Sequence, residues 1–124
     1  MALRIEKRDI TKISVDAVVN FSNTYLVDEG DGTDRVIRKA AGPELSTALS
    51  QIGSCEVGSA VITDSYNMPK CKYIIHIARP PESIENEKVK QLYESCFISV
   101  LDLAASHHLK SIAFPLSHSP LSPE

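Results

Sequence analysis

Apolar residues recur along this chain in two rhythms, short runs or strict alternation in some segments and helical spacing in others. Residues 3–7 alternate apolar Leu3 and Ile5 with charged Arg4 and Glu6, the pattern of a half-buried strand. Val15, Ala17, Val18 and Val19 make a short apolar run that ends at Asn20, consistent with a buried strand. From Asp34 onward, Val36, Ile37, Ala40 and Ala41 fall on one helical face, and Gly42 stops the helix. Pro43 suits the first turn of a second helix that would bury Leu45, Ala48, Leu49 and Ile52 and end at Gly53. Residues 59–63 and 73–78 read as strands, and Pro80 with Pro81 breaks the chain. The longest helical pattern covers residues 85–108, with Val89, Leu92, Tyr93, Cys96, Phe97, Val100, Leu101 and Ala104 in register. Its first turn is acidic and its last carries His107, His108 and Lys110, matching the helix dipole. Residues 111–114 form a last strand, and the mixed order predicts an α/β layered domain without internal repeats.

Residues 115–124, Pro-Leu-Ser-His-Ser-Pro-Leu-Ser-Pro-Glu, do not continue this pattern and have the composition of a disordered tail. A chain of 124 residues is enough for one hydrophobic core, and 43% apolar with 23% charged residues is ordinary for a globular domain. Thirteen basic against sixteen acidic residues give a net charge of −3 with no basic block, which argues against DNA or RNA as a partner. Charge intrudes before any apolar core forms at the start of the chain, and no run reaches membrane-spanning length, so neither a signal peptide nor a membrane partner is expected. Cys55, Cys71 and Cys96 are widely spaced, as reduced thiols of a cytoplasmic or nuclear protein would be. His76 lies inside an apolar strand and His107 with His108 at a helix end; none has a ligand partner at metal spacing, and no metal or cofactor is expected.

The most informative stretch runs from Asp9 to Gly42. Asn20 and Asn23 flank a strand end, and a loop of Gly30, Asp31, Gly32, Thr33 and Asp34 opens directly into a helix. Backbone N–H groups at such a helix start converge on an anion, and the dipole adds positive potential. Side-chain amides and the carboxylate of Asp9 nearby suit hydroxyls and a base edge, so the stretch predicts a pocket for a phosphate-bearing sugar or nucleotide. Each residue alone has a simpler role: Asp9 and the two asparagines in turns, Asp34 as a helix-start partner, the glycines as ordinary loop composition. Neither a Gly-x-Ser-x-Gly elbow nor a Walker loop is present.

Taken in order, the strings Arg8-Asp9-Ile10-Thr11, Asp16-Ala17-Val18-Val19-Asn20-Phe21-Ser22-Asn23 and Gly32-Thr33-Asp34-Arg35-Val36-Ile37-Arg38-Lys39-Ala40-Ala41-Gly42-Pro43 resemble a macrodomain. Gly58-Ser59-Ala60-Val61-Ile62-Thr63, Tyr66-Asn67-Met68-Pro69, Tyr73-Ile74-Ile75-His76 and Ser111-Ile112-Ala113-Phe114-Pro115 extend the resemblance to nearly the whole chain. It implies a three-layer α/β/α fold with a mixed sheet that binds ADP-ribose, free or protein-linked, at the carboxyl ends of its strands. By the same resemblance Asp9 accepts from the adenine amino group, with the backbone of Ile10 beside it. Asn23 holds the distal ribose, Asn20 is a structural amide, and Gly30, Asp31, Gly32 and Thr33 form the first diphosphate loop. In hydrolytic members an acid at the position of Asp34 works on water, so Asn23 and Asp34 are the candidate catalytic pair.

The chain departs from the family pattern at several points. Arg8 stands where a glycine is usual, Phe21 and Ser22 replace two alanines, Asp31 replaces the middle loop glycine, and Arg79 replaces the glycine before Pro80. The second glycine-rich loop and the last helix, strand and helix are absent, so residues 1–116 read as a truncated macrodomain and residues 117–124 as its tail. The expectation is weak ADP-ribose binding. Two rivals stand beside it: a mono-ADP-ribosyl hydrolase or O-acetyl-ADP-ribose deacetylase with slow or absent turnover, and a ligand-free fragment acting through protein contacts. A homodimer joined through an exposed sheet edge is also expected, because an unpaired buried edge is costly.

Overall fold

The computed structural model describes residues 8–80 and 86–115. Its central strand, β1 (Ala17–Ser22), is buried at all six positions. It lies parallel to β3 (Tyr73–Ala78), in register from Ala17 opposite Tyr73 to Ser22 opposite Ala78. On its other side β1 pairs in parallel with the short β4 (Ile112–Ala113). β2 (Ala60–Asp64) runs antiparallel to β3, so the mixed sheet has the order β2-β3-β1-β4.

Alternation along the strands sends side chains into two layers. Val18 of β1 and Ile74 and Ala78 of β3 face α1 (Gly32–Ala41) and α2 (Pro43–Ile52), against Ile37, Ala41, Leu45 and Leu49. Ala17, Val19 and Phe21, with Ile75 and Ile77, face α3 (Asn86–Ser106), against Cys96 and Val100. Helices therefore cover both faces, which is why β1 and β3 read as apolar runs rather than as strict alternation. Of the three free, buried cysteines, Cys55 and Cys71 belong to the α1–α2 layer and Cys96 to the α3 layer.

Local chemistry sets the helix ends. Gly42, at φ 93°, donates its N–H to the Arg38 carbonyl at 3.0 Å and closes α1. Its positive φ is what favours glycine here; a Cβ would also stand 2.8 Å from the Asn67 amide nitrogen, an exposed side chain that would have to move. Pro43 opens α2 at once. α3 ends at Ser106, two residues before the expected end, because His108 takes φ 59°. Leu109 then donates to the Ala104 carbonyl and His108 to the Ala105 carbonyl, at 2.9 and 3.1 Å, a paired helix cap.

Three expected faces shift. α1 begins at Gly32, before Asp34, and buries Thr33, Asp34, Ile37, Arg38 and Ala41, while Val36 is 48% exposed. The buried stripe thus includes an acid and a base that an apolar pattern passes over. On α2, Ile52 is exposed, and on α3 the fully buried line narrows to Cys96, Val100 and Ala104. Phe97, Ile98 and Leu101 are exposed, and Phe97 meets Phe114 edge-on with ring centroids 5.5 Å apart. Among the described residues no strand pairs with the outer side of β4. The expected strand at residues 3–7 and the tail at 117–124 lie outside the described residues. No described helix is long and apolar enough to cross a membrane.

The shifted face of α1 gives a direct test. Ile37→Ala should destabilise the fold by about 2–5 kcal/mol, as core truncations do, while Val36→Ala should stay within about 0.5 kcal/mol. Urea unfolding of both variants measures this; equal losses would place Val36 back in the core.

Candidate functional site

The chain leaves β1 toward α1 and α2 on one face of the sheet and leaves β3 toward α3 on the other. Adjacent parallel strands whose connections diverge in this way open a crevice beyond their carboxyl ends. The polar residues of the chain gather there. Asn20 and Ser22 alternate with the apolar side chains of β1 and are fully buried, as is His76 of β3. Asp34 and Arg38, one turn apart on α1, are 2% and 7% exposed.

These groups form one chain of hydrogen bonds. The Asn20 amide donates to Asp34 Oδ1 at 2.7 Å and to His76 Nδ1 at 3.1 Å. His76 Nδ1 must therefore accept, which leaves Nε2–H to donate to the Thr63 hydroxyl at 2.9 Å. The other Asp34 oxygen receives Arg38 Nε at 2.9 Å, and Arg38 Nη2 continues to the Leu26 carbonyl at 2.8 Å. Burial, and then the nearby Arg38 charge, lowers the His76 pKa to about 3 and keeps the ring neutral. Two buried acceptors at this end, Asn20 Oδ1 and Ser22 Oγ, have no protein partner.

The Leu26 carbonyl anchors the connecting loop to this floor. Leu26 has φ 57°, and its N–H donates to the Asn23 carbonyl at 3.0 Å. The Asn23 side chain brackets Val27, donating to its carbonyl at 2.8 Å and accepting from its N–H at 3.1 Å. Asp28 then accepts from the Gly30 N–H at 2.7 Å and pairs with Arg35 at 3.1 Å. Gly30 and Gly32 take positive φ, 84° and 70°, to turn the loop into α1. Asp31 precedes α1 with an exposed side chain that makes no cap bond. Thr33 is buried in the first turn.

Asp9 stands apart on the turn Ile10–Lys12, which packs against α1. Its carboxylate accepts the Thr11 hydroxyl at 2.7 Å and the Thr11 N–H at 2.9 Å, and these bonds, the hydroxyl's first, lower its pKa. Ile10 packs against the core of the α1–α2 layer.

The structure thus joins Asn20 directly to Asp34 and places Asn23 and the Gly30–Gly32 loop above them. It does not bring the Asp9 carboxylate into bonded contact with either. Asp34 was expected beside a reacting water. Here both its oxygens are committed to buried partners, and its place is in the floor. Sequence reasoning passed over Arg38, Thr63 and the bonding role of His76. The four-residue spacing of Asp34 and Arg38 was a signal for the first; nothing local marked the other two. A separate open depression of about 350 Å³ lies at the opposite ends of β1, β3 and β4, between Val15, Lys70, Lys72 and Ser111.

Comparison with known proteins defines the class. The Macro domain family model matches residues 19–119, and the chain belongs to this family. It is 42% identical over 109 residues to the Macro domain-containing protein CT2219 of Chlorobaculum tepidum, covering 88% of this chain and 62% of that one. It is 41% identical over 112 residues to the bovine ADP-ribose glycohydrolase MACROD1, covering 86% of this chain and 33% of that one. A mutant of the Oceanobacillus iheyensis macrodomain solved with ADPR superposes with a TM-score of 0.81 at 31% identity, covering 87% of this chain and 61% of that one. The chain therefore spans less than two thirds of the length of these relatives.

Two outcomes follow from the buried network. Arg38→Met, which strips Asp34 of its cation, should cost about 3–5 kcal/mol of stability, with a smaller loss when Asp34→Asn is added, both read by urea unfolding. The unfolded chain protonates His76 near pH 6.5 while the folded protein resists until about 3, so its contribution is present above 6.5 and is lost as pH falls. Between pH 7 and 5, above the carboxylate range, the loss from this group should be about 2 kcal/mol. A denaturation midpoint unchanged over that range would show that His76 is not held neutral.

Proposed function

We propose that this chain is an ADP-ribose-binding module, taking the ligand free or attached to protein in the crevice beyond the carboxyl ends of β1 and β3. The observation that carries the reading is the loop from Asn23 to Gly32, fixed on a buried polar floor and running into the amino end of α1. In this assignment the α1 amino end and the backbone of Asp31 and Gly32 leading into it take the diphosphate. The assignment gives Asn23 to the distal ribose and Asp9 with the Ile10 backbone to the adenine edge. Asn20 and Asp34 support the loop from below.

This reading is preferred to hydrolysis because of Asp34. A general base must reach the proton it takes, directly or through one water. With both oxygens bonded to Asn20 and Arg38 at 2% exposure, the carboxylate is a structural anion. Asn23, the other candidate for catalysis, spends its amide on Val27.

Calorimetry with ADP-ribose, AMP and ribose tests the assignment. ADP-ribose should bind at least about tenfold more tightly than AMP, a difference of about 1.4 kcal/mol, because AMP lacks the second phosphate and distal ribose. Binding of ADP-ribose no tighter than that of ribose would end the proposal. Sustained release of ADP-ribose from a modified glutamate, lost in a folded Asp34→Asn variant, would instead establish the hydrolase.

A further inference from the structure

We infer that Arg79 is the phosphate-gripping residue of the crevice and that Glu29 is a built-in carboxylate that holds it until an anionic ligand takes its place. The inference rests on the ADP-ribose reading and adds a recognition residue and a competitor to it.

Arg79 follows β3 immediately. Its backbone N–H donates to the Ser22 carbonyl at 3.1 Å, and its Nε–H donates to the same oxygen at 3.1 Å. The guanidinium is thereby pinned over the last residue of β1, at the mouth of the crevice. From there Nη2 reaches the carboxylate of Glu29, in the loop that leads to α1. The ion pair thus bridges the strand ends and the loop.

The charges around it make the cation matter. The loop carries three acids in four residues, Asp28, Glu29 and Asp31, on a chain whose net charge is −3. A phosphate group entering here meets repulsion unless a cation answers it. The two arginines of α1 are otherwise engaged: Arg38 on buried Asp34 and the Leu26 carbonyl, Arg35 on Asp28. Arg79 is the guanidinium held at the strand ends themselves, with its side chain 25% exposed. The Ser22 hydroxyl oxygen, on the residue whose carbonyl anchors Arg79, is buried without a protein partner.

Glu29 suits the role of a displaceable partner. Its side chain is 41% exposed. Exposed ion pairs contribute little, whereas a guanidinium fork on a phosphate makes paired, charge-assisted hydrogen bonds. A phosphate can therefore replace the carboxylate on the same cation, and the released Glu29 returns to solvent.

Calorimetry with inorganic diphosphate, ADP-ribose and adenosine, on the unmodified chain and on Arg79→Gln and Glu29→Gln, decides it. Arg79→Gln should weaken inorganic diphosphate and ADP-ribose by about tenfold or more, with adenosine unchanged. Glu29→Gln should tighten both anions roughly threefold to fivefold, as expected for removing an exposed competitor. Equal anion affinity in Arg79→Gln, or a matching loss for adenosine, overturns the inference. Should Arg79→Gln fail to fold, the exposed Glu29→Gln carries the test, and absence of any gain overturns it. Arg79-dependent binding of inorganic diphosphate with no added affinity for ADP-ribose would uphold the anion grip and defeat the ADP-ribose reading. ADP-ribose binding that ignores both substitutions would do the reverse.

Discussion

The ion pair between Asp34 and Arg38, sealed between α1 and the sheet, is the constraint on which this site is built. Neither charge is tolerable alone at that depth, so each fixes the other, and the remaining donors and acceptors must be found in place. Asn20 from β1 supplies one, and the Leu26 carbonyl supplies the other. The helix, the central strand and the connecting loop are consequently tied at one point. Through Asn20 the tie extends to His76 on β3 and Thr63 on β2. Apolar packing holds the layers together but does not choose among similar arrangements, whereas a polar chain with directional bonds at each step fixes one register. The loop that faces the crevice inherits its geometry from this chain.

A floor of that kind separates rigidity from recognition. The groups that set the loop are inaccessible, and those that meet solvent, from Asp28 to Asp31, are loosely committed by comparison. Membership of the macro domain family accounts for the layered scaffold. The loop leading to α1 carries Asp28, Glu29 and Asp31, and Arg79 at the end of β3 pairs with Glu29.

Much of the layered fold was legible because β1 and β3 are apolar runs of strand length and α2 is bracketed by Gly42-Pro43 and Gly53. β1 starts at Ala17 rather than Val15 because Val15 and Asp16 spend their backbone groups on Lys70, Lys72 and Tyr73 at the entry to the sheet. The buried face of α1 was misread because its inner residues include Asp34 and Arg38, and a pattern of apolar positions cannot register a buried pair. α3 was overread: Phe97 and Leu101 satisfy helical spacing yet stand exposed, since spacing reports direction around the axis and not what lies opposite. At the site, Asn20, Asn23 and the glycine loop could be named from their order. The joining of His76 and Thr63 to Asn20 could not, because it depends on strands brought together from distant parts of the chain.

The placement of the cysteines gives this domain internal reporters. Burial raises the pKa of all three thiols and covers nearly all of each side chain, so opening of the structure speeds their reaction with a thiol reagent. Cys55 and Cys71 sit in the layer beneath α1 and α2, and Cys96 in the layer beneath α3. The rate at which each is labelled in the native state therefore times the separation of its own layer from the sheet. Cys71 and Cys96 thus stand as reporters on opposite faces of one sheet, without an added probe.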